Sequence, residues 1–140
     1  MKKQISTFLL VALAGFTSYA QCNKKINLSA NSTEYLSGTG EVQKTDAQLT
    51  TIVYDSKEIS ILAGDNAMDG TVNSITCDWK TPFKEGKTII KATISNPNGQ
   101  NMNLILTIEG KDGKNMMMAV FEEMPDLKIR MPVDKFEEKM

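Results

Sequence analysis

"KTIIKATISNPNGQNMNLILTIEGKDGKNMMMAVFEE" (residues 87–123) is the stretch on which the fold class turns. "KTIIKATIS" (87–95) sets Ile90, Ala92 and Ile94 on one face, because side chains alternate along a strand. "MNLILTIE" (102–109) alternates Met102, Leu104, Leu106 and Ile108 against Asn103, Ile105, Thr107 and Glu109. "NMMMAVFEE" (115–123) is apolar on both faces, which predicts a central strand. The connections "NPNGQ" and "GKDGKN" carry Gly where hairpin turns need positive φ. They are too short for a crossover, so these strands and "LKIRM" (127–131), which ends at Pro132, predict an antiparallel meander.

The same reading extends backwards. "QLTTIVYD" (48–55) and "KEISILAG" (57–64) read as a hairpin about Asp55-Ser56, with Leu49, Thr51 and Val53 on one face and Ile59, Ile61 and Ala63 on another. "GTVNSITCDW" (70–79) is rich in β-branched residues. "CNKKINLS" (22–29) and "EYLSGTGEVQ" (34–43) are weaker strands, and "VDKFEEKM" (133–140) reads as a helical turn or two, or a charged tail. No segment sustains a helical period. The expectation is all-β: a single antiparallel up-and-down barrel, or a two-sheet sandwich, of about eight strands. In strand count and size this resembles a lipocalin-like barrel in architecture. The Gly-X-Trp signature of lipocalins is absent, and the one tryptophan, Trp79, lies mid-chain.

Residues 1–20 read as an N-terminal signal peptide: Lys2 and Lys3, then an apolar run from Phe8 to Phe16, then Ser18-Tyr19-Ala20 as a cleavage site. Cleavage after Ala20 leaves one domain over 21–140, with 14 basic and 17 acidic residues once Lys2 and Lys3 are removed. The expected location is periplasmic or secreted. Lipid anchoring at Cys22 is disfavoured, because Gln21 stands where a small residue is needed. The apolar run is too short to span a bilayer and no second run of that kind occurs, so no transmembrane helix is expected in the mature chain. In an oxidising compartment Cys22 and Cys77 are expected to pair, closing a loop worth about 4 kcal/mol on the chain-entropy view.

The chemistry is bounded by an absence. There is no histidine, which removes Ser-His-Asp and Cys-His nucleophiles and His-ligated metals. Glu122 and Glu123 would point to opposite faces of a strand and make no dyad. "GDNAMDG" (64–70) fails as an EF-hand loop, since Ala67 stands where an oxygen ligand is required and Thr76 where Glu is required. A single Arg and a mild net charge give nucleic acid nothing to select. No catalytic residue, cofactor or metal is expected. The expected function is an exported, non-catalytic binding module with an apolar interior for a small hydrophobic ligand. The alternative is a solid-core envelope protein that binds another protein through strand edges or loops. The candidate ligand-binding residues are Trp79, Met102, Leu104, Met116 and Met118, with Trp79 also placed to plug one end of a barrel. Met116 and Met118 share a face with Val120, and Met117 shares the other with Ala119 and Phe121.

Overall fold

The computed structural model describes residues 24–139. The expected signal segment and Cys22 lie outside them. Eleven strands follow one another: β1 (Ile26–Ala30), β2 (Thr33–Ser37), β3 (Val42–Asp46), β4 (Thr50–Tyr54), β5 (Glu58–Ala63), β6 (Asn66–Thr81), β7 (Glu85–Ser95), β8 (Asn101–Lys111), β9 (Lys114–Phe121), β10 (Met124–Val133) and β11 (Lys135–Glu138). They form one antiparallel sheet in the order β11-β1-β4-β5-β6-β7-β8-β9-β10-β2-β3, curled into a half-barrel. Among the described residues there is a single sheet, not the two facing sheets of a sandwich. From β4 to β10 each strand pairs with the next, so the meander expected for the second half extends through most of the chain.

Two of the strands are interrupted more than ended. Asn31 and Ser32 separate β1 from β2, and Asp134 alone separates β10 from β11. Ser29 faces Lys135 and Glu34 faces Arg130, so five steps forward along one strand match five steps back along the other. The Asp134 amide donates to the Ser29 carbonyl at 2.8 Å, and its carboxylate accepts from the Asn31 amide at 2.6 Å. One aspartate thus stitches both breaks. Beyond it, Arg130 on β10 clasps Glu34 on β2 with two hydrogen bonds, 3.0 and 3.1 Å. The hydrogen bond from Arg130, and then its charge, hold the Glu34 carboxyl below the ordinary value against opposing desolvation.

The concave face carries Ile26, Leu28 and Ala30 from β1, Ile59 and Ile61 from β5, Ile90, Ala92 and Ile94 from β7, and Leu104, Leu106 and Ile108 from β8, all buried. On β4 the sequence reading put Leu49, Thr51 and Val53 on one face without choosing the inward one; Thr50, Ile52 and Tyr54 are the buried set, and Leu49 is exposed. Both sets contain β-branched residues, so alternation alone does not choose between them. The neighbours do, because Ile52 pairs with Leu28 on one side and Ile61 on the other. On β6 a bulge between Val72 and Ser74 inserts one residue, so the inward set passes from Val72 to Ile75, Cys77 and Trp79. Residues 135–138 form strand β11, not a helical turn, because Phe136 belongs to the core and packs on Trp79 and Phe83.

Candidate functional site

The two ends of the interior are built differently. At one end lie the turns after β4, β6 and β8. There the Trp79 indole, 3% exposed, donates from Nε1 to the Thr88 hydroxyl at 2.6 Å. Thr88 Oγ1 lies 3.7 Å from Cys77 Sγ, and Thr88 also hydrogen-bonds the Tyr54 phenol. Phe136 meets Trp79 edge-on at 5.4 Å between centroids and Phe83 at 4.8 Å. Two glycines make the seat: a Cβ on Gly86 would stand 2.6 Å from Trp79 Cδ2, and one on Gly110 2.7 Å from Cζ3. Phe83 takes a left-handed φ of 65° to turn its ring inward, and Asn115 Nδ2 donates to its carbonyl at 2.9 Å. This end is a solid aromatic floor.

Burial pushes the Tyr54 phenol well above its usual value, partly opposed by the hydrogen bond with Thr88. A phenol raised in the folded state contributes stability that is complete below the unfolded pKa of about 10 and is lost as pH climbs towards the folded value. In an absorbance titration Tyr54 should therefore ionise only together with unfolding. Tyr54→Phe should flatten that alkaline loss. Complete tyrosine ionisation in a protein that remains folded would place Tyr54 in water, contrary to this geometry.

Towards the other end the interior opens into a cavity of about 490 Å³. One wall is apolar: Met102, Leu104 and Leu106 from β8, Ala119 and Phe121 from β9, Ile129 and Met131 from β10. Beside it, on β2 next to β10, stand Thr33 and Tyr35, and Gln48 with Thr50 and Ile52 from β4 also line the cavity. The β7–β8 turn residues Asn96, Pro97 and Asn98, with Asn66 at the start of β6, form its rim. Depth follows from strand register. Leu106 faces Ala119 and both line the cavity; the next inward pair, Ile108 and Met117, is fully buried and does not. Tyr54, two residues below Ile52, is likewise beneath it. The volume lies in the range of small-molecule sites, and the lining of mostly apolar groups with a few convergent polar ones is of the usual kind.

The residues singled out in the sequence are thus distributed over three places. Met102 and Leu104 line the cavity. Trp79 is in the floor at the closed end, among its aromatic neighbours. Met116, 38% exposed, and half-buried Met118 lie on the outer face of β9, whereas Met117 and Ala119 face inward. Cys77 is half-buried beside Thr88, and its expected partner Cys22 lies outside the described residues. Thr33 and Tyr35 are not among the ligand-binding residues expected from the sequence because they come from a weakly patterned strand, and Gln48 lies in the connection before β4. Asp65 sits in the β5–β6 turn and Asp69 accepts a hydrogen bond from the Ser60 hydroxyl. Glu123 holds the amide and side chain of Asn103 at the β9–β10 turn. Among the described residues no group of His, Cys, Asp or Glu is placed to hold a metal, and no helix is long and apolar enough to cross a membrane. Compared with protein-family models, curated proteins and solved structures, the chain has no match.

Proposed function

We propose that this chain is an exported, non-catalytic binding module whose interior takes a small, mostly apolar ligand. In this reading β1–β2 and β10–β11 act as two bent strands that zip along each other, so the curled sheet works as an eight-stranded up-and-down barrel. The shared register across the two breaks, and the Asp134 stitch between them, support that closure. The observation that carries the function is the contrast in packing along one interior. Strands β8 and β9 present an unbroken apolar face, yet it is solid at Ile108 and Met117 and hollow at Leu104, Leu106, Ala119 and Phe121. Close packing is the ordinary state of a core, and a roomy apolar void forfeits dispersion contacts that a ligand would restore. The export signal in the sequence suits such a module to the envelope or its exterior.

A specific feature favours a second reading, binding to another envelope protein. Strand β3 pairs with β2 on one side only and is exposed along most of its length, so its outer edge offers backbone groups to a partner strand. A ligand panel separates the two. Mature protein is titrated with medium-chain alcohols, acids and apolar aromatics, and read by native mass spectrometry and thermal unfolding. The ligand reading expects a one-to-one adduct and, at about a hundredfold excess over Kd, about 2.7 kcal/mol of added stability. A broad panel that yields neither adduct nor shift overturns it and leaves the β3 edge as the better lead. Trp79 emission is a poor reporter here, because the indole belongs to the floor.

A further inference from the structure

The cavity wall also says what kind of ligand fits, an inference that rests on the binding reading above. Among the described residues no Asp, Glu, Lys or Arg lines the cavity. Its polar groups are hydroxyls and carboxamides: Thr33, Tyr35 and Thr50 on β2 and β4, Gln48 just before β4, and the amides of Asn66, Asn96 and Asn98 at the rim. Thr33 is decisive among them. It is 3% exposed, it lines the cavity, and its Oγ1 has no hydrogen-bond partner among the described residues. A buried hydroxyl without a partner is destabilising, and natural cores rarely leave one. Thr33 stands at the resumption of the strand after the Asn31-Ser32 break, and Tyr35 follows it on the same cavity-lining face. Strand register sets Thr33 level with Met131, which itself pairs with Met117 of the buried layer. The unpaired hydroxyl is therefore deep in the cavity, well below the rim amides.

We infer that the cavity selects an electrically neutral amphiphile: an apolar body against β8, β9 and β10, with one hydroxyl or carbonyl reaching Thr33. A carboxylate in the same place would be desolvated with no cation to pair it, which is far more costly than an unpaired dipole. An alcohol or carbonyl needs one hydrogen bond, and Thr33 can donate or accept it. Fatty acids in their ionised form are thus excluded by the lining, whereas fatty alcohols, esters and amides are admitted.

The test is a two-by-three comparison by titration calorimetry near pH 8: 1-decanol and decanoate against wild type, Thr33→Val and Thr33→Ser. Wild type should bind decanol roughly tenfold or more tighter than decanoate. Thr33→Val should weaken decanol binding by roughly fivefold, the order expected for one neutral hydrogen bond, and Thr33→Ser should restore it. Without ligand, Thr33→Val should melt a few degrees higher, because it removes the stranded hydroxyl while keeping the shape. Decanoate binding as tightly as decanol would overturn the inference and leave the ligand reading intact. So would a Thr33→Val protein that binds decanol like wild type, since the hydroxyl would then be satisfied by water. If the valine variant does not fold, Thr33→Ser with the alcohol-to-acid ratio still decides. Binding of neither compound to wild type, with no adduct from the wider panel, would remove the ligand reading itself.

Discussion

Trp79→Ala is expected to destabilise the protein by about 3–5 kcal/mol, the cost of deleting a large buried ring whose site cannot fully collapse. The site is rigid for identifiable reasons. The indole rests on the backbone at Gly86 and Gly110, its nitrogen is anchored on Thr88, and Phe136 closes it from the side. Removing it leaves a void bounded by main chain, which relaxes less than side chains do, and strands the hydrogen bonding of Thr88. Trp79→Phe keeps much of the ring and loses the Nε1 donor, so it should cost less, roughly 1–3 kcal/mol. Urea unfolding followed by circular dichroism measures both. For a domain of this size the alanine variant should melt at least about 10 °C lower. A loss below about 1 kcal/mol for Trp79→Ala would show that the closed end is not held by this plug.

How much of this could be read in the sequence depends on where regular alternation stops. Strands β7, β8 and β9 declared themselves, because Ile90, Ala92 and Ile94, then Leu104, Leu106 and Ile108, repeat at period two and are the residues found buried. Alternation could not say which face of β4 turns inward, since Leu49-Thr51-Val53 and Thr50-Ile52-Tyr54 are alike in character; the pairing of Ile52 with Leu28 and Ile61 settles it. Nor could it anticipate the bulge after Val72, which brings Trp79 and Val72 to one face despite their odd separation. The methionine run was legible as two alternative faces, and the curl of the sheet chooses Met117 for the inside. The polar wall was the least visible feature. Thr33 and Tyr35 look like unremarkable residues of a weak strand until β2 pairs with β10, where Glu34 and Arg130 meet across 96 positions of sequence, a long-range event that no local pattern encodes.

Ala92 and Ala119 offer the sharpest separation of hollow from solid interior. Both are small inward residues, 1% and 6% exposed, on β7 and β9. Ala119 lines the cavity, opposite Leu106 and beside Ile129, whereas Ala92 does not. Ala92 pairs with Leu104 on one side and Val72 on the other; it is buried among core residues and, unlike Leu104, does not line the cavity. Ala92→Phe should therefore overpack and cost about 3 kcal/mol or more, at or beyond the usual range for inserted bulk. Ala119→Phe places its ring in empty space and should be neutral or raise stability by about 0.5–2 kcal/mol, as cavity filling does. The same ring occupies the ligand's position, so affinity for any compound found in the panel should fall by well over roughly tenfold. The two variants carry an identical change in composition, so a difference between them reports local space alone. Equal destabilisation would mean that the wall at Ala119 is as tightly packed as the one at Ala92, which returns the advantage to a solid-core protein acting through the β3 edge. Stability kept with affinity lost would tie the cavity to binding, because the folded scaffold would persist after its interior had been filled.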